Sequence, residues 1–135
     1  SMTNKFNNIG QKTILLLNTE PEESAGISLI LKEADISTQY VASLSELKIK
    51  MREASFLAVI IDLDSVAVDN RSIRDLALQS TTTPFLCISK EQFHPELKDS
   101  FRDHIYACLT KPIDPEELNY WLKCIREDDR SSKIS

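Results

Sequence analysis

Three polar side chains with complementary chemistry stand at the ends of apolar segments: Asp62 after Val59-Ile60-Ile61, Ser89 after Phe85-Leu86-Cys87-Ile88, and Lys111 after Leu109-Thr110. A carboxylate nucleophile for phosphoryl transfer needs a cation and a hydroxyl donor to hold the phosphoryl oxygens, and these three supply one of each. A fourth segment end carries Asn18, Thr19 and Glu20, and Asp64 follows Asp62 by two residues. Each residue alone has an ordinary reading: Asp62 as an Asx-turn at a strand end, Ser89 as a helix cap, Lys111 as a solvated lysine before Pro112. The set carries chemistry only if the fold gathers it at one edge.

The apolar segments predict strands at residues 13–17, 39–42, 57–61 and 85–88, with a weaker fifth at 106–109. The first, third and fourth are continuous apolar runs without alternation, as in strands covered on both faces. Between them the period lengthens to that of a helix. Ile27, Ile30, Leu31 and Ala34 follow the first strand, and Leu44, Leu47 and Met51 the second. Ile73, Leu76 and Ala77 mark a third helix capped by Asp69 or Asn70, and Leu97, Phe101 and Ile105 a fourth with Pro95 in its first turn. The fifth opens on Asp114-Pro115 with Glu117 placed as in a capping box, and buries Leu118, Trp121, Leu122 and Ile125. Trp121, in phase with the leucines, reads as core and not as a ligand platform.

Five strands alternating with five helices predict an α/β fold, an open parallel sheet with helices on both faces. In such sheets the site lies beyond the carboxyl ends of the strands, where Asn18, Asp62, Ser89 and Lys111 fall. Residues 1–11 read as a tag scar and flexible N-terminus, 12–127 as one domain, and the polar, aperiodic 128–135 as a linker to an output domain.

Composition excludes several classes. The chain has 135 residues, 41% of them apolar, and a formal net charge of -5 with no basic cluster. That argues against a module built to neutralise nucleic-acid phosphates. No apolar run approaches the ~18 to 20 residues of a membrane span, and no secretory signal is recognisable, so a cytoplasmic protein is expected. Cys87, Cys108 and Cys124, odd in number and widely spaced, read as reduced core thiols. His94 and His104 lie near the fourth helix, away from the predicted edge, and are assigned no role. Glycine is scarce, with only Gly10 and Gly26. The stretch Asn18-Thr19-Glu20-Pro21 therefore lacks the glycines of a phosphate-cradling loop, which disfavours a flavodoxin-like electron carrier.

The segments Val59-Ile60-Ile61-Asp62-Leu63, Thr83-Pro84-Phe85-Leu86-Cys87-Ile88-Ser89 and Leu109-Thr110-Lys111-Pro112-Ile113-Asp114-Pro115 resemble the receiver domains of bacterial two-component response regulators. The resemblance spans residues 12–127. It implies a flavodoxin-like (βα)5 fold with strand order 2-1-3-4-5, Asp62 as phosphoacceptor, Ser89 as switch hydroxyl, Lys111 as the cation on the phosphoryl group, and a cis Lys111-Pro112 bond. It also implies a histidine kinase or other phosphodonor as partner, no enzymatic role beyond self-catalysed phosphorylation and dephosphorylation, and contacts through the fourth helix, fifth strand and fifth helix. That surface would meet an output domain, for instance a transcription regulator, a partner protein or a second copy in a homodimer.

Departures from the family pattern are equally specific. The acidic pair that would hold magnesium is replaced by Asn18 and Thr19, leaving Glu20, Asp62 and Asp64 as candidate ligands. Each acid near a divalent ion contributes ~8 kcal/mol of gross attraction at an effective dielectric of ~20, so even a tenth of that from two acids weakens binding by about a decade. Weak or absent magnesium binding is expected. Lys90 replaces the usual small residue after the switch hydroxyl, where it would pair with Asp62 or shield it. Cys108 replaces the reporting aromatic, with Tyr106 two residues away and expected on the same strand face. The leading expectation is a receiver with a degenerate site acting through protein contacts. The alternative is a working phosphoacceptor whose metal site is completed by Glu20 or Asp64.

Overall fold

A computed structural model of the chain describes residues 12–134, with side chains described as far as Asp128. Five strands, β1 (Thr13–Leu17), β2 (Ser37–Val41), β3 (Ala58–Asp62), β4 (Phe85–Ser89) and β5 (Ile105–Thr110), form one parallel sheet in the order β2-β1-β3-β4-β5. The helices are α1 (Pro21–Glu33), α2 (Leu44–Glu53), α3 (Asn70–Gln79), α4 (Lys98–Asp103), preceded by a 3-10 turn Pro95–Leu97, and α5 (Pro115–Ile134). The expected flavodoxin-like α/β architecture is therefore present, in the strand order that the resemblance implied.

Each strand divides its side chains between two cores because successive residues point to opposite faces. On one face Ile14, Leu16, Ile60, Leu86, Ile88 and Leu109 pack under α1 and α5 through Ile27, Leu31, Leu118, Leu122 and Ile125. On the other, Leu15, Leu17, Val59, Ile61, Phe85 and Cys87 pack under α2 and α3 through Leu47, Met51, Ile73 and Leu76. Strands β1, β3 and β4 are buried along their whole length, as continuous apolar runs require, whereas β2 lies at an edge and is mostly exposed. The three thiols are free, with Cys87 buried and Cys108 and Cys124 half-buried.

The helix ends follow the local chemistry. Asp69 caps α3 by accepting from the Ser72 N–H at 2.8 Å, and Ser43 caps α2 by accepting from the Glu46 N–H at 3.1 Å. Asp114 does cap α5, but its carboxylate takes the Glu116 N–H at 2.9 Å. Helix α5 runs on to Ile134, so the polar stretch after Arg126 has a helical backbone. Two expectations are corrected. Ile105 belongs to β5, because α4 stops at Asp103 after six residues. A register shift where β5 passes Phe85 and Leu86 separates Tyr106 from Cys108. Cys108 packs with the α2–α3 core, while Tyr106 meets the Trp121 ring of α5 edge-on at 5.9 Å. An extra residue in a strand breaks the two-residue period on which the same-face expectation rested.

Candidate functional site

The carboxyl ends of β1, β3, β4 and β5 deliver Asn18, Asp62, Ser89 and Lys111 to one edge of the sheet. The first turn of α1, started by Pro21 at its first position, adds Glu23 and Ser24 from one side. The turn after β3, closed by the Ser65 N–H donating to the Asp62 carbonyl at 3.1 Å, adds Asp64 and Ser65 from the other. The Lys111-Pro112 bond is cis, as the resemblance implied.

Asp62 is fully buried, and both its carboxylate oxygens are saturated. Oδ1 accepts from the Asp64 N–H at 3.0 Å and pairs with Lys111 Nζ at 2.9 Å. Oδ2 accepts from Asn18 Nδ2 at 2.8 Å and from Ser65 Oγ at 2.6 Å. The orientation of the Asn18 amide is dictated by its surroundings. Its Oδ1 accepts from the Glu20 N–H at 2.7 Å and Ser24 Oγ at 2.9 Å, so Nδ2 must face the acids, where it donates also to Glu23 Oε1 at 3.0 Å. Lys111 Nζ lies at 2.9 Å from Glu23 and at 3.0 Å from Asp64. Three carboxylates thus share one ammonium, with a neutral amide bridging two of them.

The charges tune one another. Hydrogen bonds from Lys111 and Asn18 hold the Glu23 carboxyl below its ordinary range. Burial would raise Asp64, but donation from Lys111 and from the Lys90 N–H outweighs it, and the net shift is downward. Lys111 is shifted upward, because its three acidic partners outweigh the burial that would lower it.

Magnesium asks for hard oxygen ligands in an octahedral arrangement. The donor set does not fit that demand. Asn18 turns an N–H toward the acids, Lys111 occupies the point on which they converge, and Asp62 has both oxygens committed. Among the described residues, no group of three or more His, Cys, Asp or Glu side chains is placed to hold a metal ion.

The structure brings Asp62, Asp64, Lys111 and Asn18 together. Thr19 and Glu20 enter through their backbones, their N–H groups donating to Ser65 Oγ and Asn18 Oδ1. Ser89 stands at the adjacent strand end with its hydroxyl accepting from the Glu91 N–H at 3.0 Å and its carbonyl accepting from the Lys111 N–H at 2.8 Å. Lys90 binds Asp64 through its backbone N–H at 2.9 Å, and its exposed side chain makes no ion pair with Asp62. Two participants went unrecognised in the sequence. Glu23 reads there as an acid in a helix first turn, where the dipole alone accounts for it. Ser65 left one signal, its three-residue spacing from Asp62, which suits a turn.

No protein-family profile and no curated protein matches the chain. Solved structures do. The receiver-domain protein of Methanospirillum hungatei JF-1 is 17% identical over 92% of this chain and 98% of its own, with a TM-score of 0.74. The signal receiver domain of an HD domain-containing protein from Pseudomonas fluorescens Pf-5 is 16% identical over 88% and 97%, with a TM-score of 0.77. The receiver domain of the sensor histidine kinase PA1611 from Pseudomonas aeruginosa PAO1, solved with magnesium coordinated in its active-site cleft, is 17% identical over 83% and 94%, with a TM-score of 0.71. Asp62 and its partners thus stand at the carboxyl edge of a chain that has the fold of the response-regulator receiver domains.

Proposed function

We propose that the chain is a signal receiver module of the two-component type in which Asp62, the phosphoacceptor position, is held closed by internal partners, so that signalling runs through protein contacts. The observation that carries this reading is the saturation of Asp62, buried and held by Lys111, Asn18, Ser65 and the Asp64 N–H. An attacking carboxylate oxygen must shed its donors, and breaking a buried, hydrogen-bonded ion pair costs about 3 to 5 kcal/mol. Magnesium binding is weak or absent on this reading, because Lys111 and Asn18 already compensate the acids. A phosphoryl group arriving without a divalent ion would face Glu23 and Asp64 as fixed negative charges. Ser89 is the switch hydroxyl on this reading: its oxygen accepts from the Glu91 N–H, and its O–H remains available as a donor.

The proposed contact surface is that of α4, β5 and α5. Tyr120 is 59% exposed and packs edge-on against Trp121, which in turn meets Tyr106. The Tyr106 hydroxyl donates to Asp128, tying β5 to α5. Aromatic anchors of this kind are favoured where proteins meet. An output domain, a partner protein or a second copy would dock there, and a histidine kinase remains the expected phosphodonor if one acts. The module is a signalling element and not an enzyme in its own right.

Incubation with acetyl phosphate and magnesium chloride, followed by intact mass, tests the closed site, with Asp62→Asn as control. The expected result is no Asp62-dependent phosphoryl adduct. An adduct that disappears in Asp62→Asn would overturn the reading in favour of a working phosphoacceptor completed by Asp64 or Glu20.

A further inference from the structure

A pocket of about 490 Å³ adjoins the acid cluster, lined by α1, the end of β4 and the loop joining β5 to α5. That volume is within the range of small-molecule sites. Apolar side chains supply much of its lining: Ile27 and Ile88 belong to the buried core, Ile30 and Ile113 pack against that core while remaining half-buried, and Pro112 is exposed. The charged side chains among its lining are Glu23, Lys90 and Lys111.

One acceptor in that set is unspent. Glu23 Oε1 takes both Lys111 Nζ at 2.9 Å and Asn18 Nδ2 at 3.0 Å, whereas Oε2 accepts no hydrogen bond among the described residues. The Glu23 side chain is 36% exposed, so a molecule in the pocket can reach it. Lys111 has nothing comparable to offer, since its nearly buried ammonium is divided among Glu23, Asp62 and Asp64.

The charge balance sets the sign of a ligand. The three carboxylates of Glu23, Asp62 and Asp64 stand against the two ammonium groups of Lys111 and Lys90, which leaves one net negative charge. The chain as a whole carries a formal net charge of -5. Lys90 opposes a cation, but its side chain is exposed, and solvent and salt screen it more than they screen the half-buried and buried acids. An anion would add to the excess negative charge, and a single positive charge would cancel it.

We propose that this pocket binds a small amphiphilic organic cation, a primary ammonium donating to Glu23 Oε2 with its apolar body along Ile30, Pro112 and Ile113. The site is separate from the chemistry of Asp62 and stands whether or not that residue accepts phosphate. Because Oε1 stays on Lys111 and Asn18, occupancy leaves the contacts that hold Asp62 in place.

Octylammonium, titrated into the full chain at pH 7 and followed by amide and methyl NMR shifts, is the probe, with 1-octanol and octanoate as neutral and anionic controls of the same chain length. Saturable one-site shifts centred on Ile27, Ile30 and Ile113 are expected. Octylammonium should bind about three- to fivefold more tightly than 1-octanol, the worth of a partly exposed ion pair, and octanoate should bind most weakly. Glu23→Gln should bring octylammonium down to the affinity of 1-octanol, and Lys90→Gln should tighten octylammonium while leaving 1-octanol unaffected. Ile30→Ala removes apolar wall and should weaken both by about threefold. The proposal fails if shifts are absent or scattered, if 1-octanol or octanoate binds as tightly as octylammonium, or if Glu23→Gln keeps the preference for the ammonium. Should Glu23→Gln not fold, the order of the three probes on the parent chain and the Lys90→Gln titration carry the test, and an unchanged octylammonium affinity in Lys90→Gln would also overturn the proposal. Failure here leaves the acetyl phosphate result untouched, so the two readings fall separately.

Discussion

At the scale of single residues, the decisive position is Asn18. An aspartate there would set a fourth carboxylate against Asp62 and Glu23, at the 2.8 and 3.0 Å separations where the amide now donates. Asn18→Asp should lower stability in chelator-treated buffer by about 2 to 3 kcal/mol, through one lost donor to a buried carboxylate and one added like charge. Magnesium should then raise the melting temperature of the variant and leave that of the parent unchanged, which a thermal melt with and without the ion reads directly. An equal response in both proteins would count against the role given to the amide. The same neighbourhood marks the limit of what the sequence discloses. Asp62, Asp64 and Lys111 were legible because strand ends converge by topology. Glu23 and Ser65 were not, because their participation depends on how the first turn of α1 and the turn after β3 lean over the edge, which no spacing encodes.

Secondary-structure elements were readable where burial leaves one explanation. The continuous apolar runs of β1, β3 and β4 admit only strands covered on both faces, and the structure buries all three throughout. The fourth helix was harder, because Leu97, Phe101 and Ile105 repeat every four residues although the chain leaves the helix at His104 and enters β5. A helical spacing and a strand start coincided there, and pairing with β4 decided between them. The end of α1 shows local chemistry at odds with local geometry. The Ile36 N–H donates to the Leu31 carbonyl at 2.9 Å and the Asp35 N–H to the Lys32 carbonyl at 3.0 Å, the hydrogen bonds of a Schellman turn. Its left-handed residue is Asp35, at φ 62°, where glycine is the usual occupant. Asp35→Gly removes the clash of Cβ with the backbone, partly offset by the greater conformational entropy that glycine gives the unfolded chain. It should stabilise the protein by about 0.5 to 1 kcal/mol, read as a rise of about 2 to 4 °C in melting temperature, with no change in the site. A fall in melting temperature would mean that the aspartate side chain stabilises the turn.

For the molecule as a whole, the acid cluster links the two halves of the sheet, since Lys111 on the β5 side reaches Glu23 on α1 and Asp62 on β3. Its titration therefore enters global stability. Glu23 and Asp64 have folded pKa values below their ordinary 4.5 and 3.8, so their contribution is complete above those values and is lost as the pH falls through the lower, folded ones. Lys111 is shifted above its ordinary 10.5, so its contribution is complete below that value and is lost as the pH rises through the higher, folded one. These groups therefore impose a plateau of stability from about pH 5 to about pH 10, with declines outside it. Lys111→Met removes the shared cation and leaves the acids facing one another. At pH 7 the variant should lose about 3 kcal/mol, as expected for an uncompensated charge beside the fully buried Asp62. Its acid limb should also change sign. With like charge now raising Glu23 and Asp64 above their unfolded values, the folded state binds protons first, and stability climbs as the pH drops from 7 toward 5. Urea unfolding midpoints measured across that range would rise in the variant and stay level in the parent. Parallel profiles for the two proteins would mean that Lys111 does not hold the acids in their charged state, and the closed-site reading of Asp62 would lose its electrostatic basis.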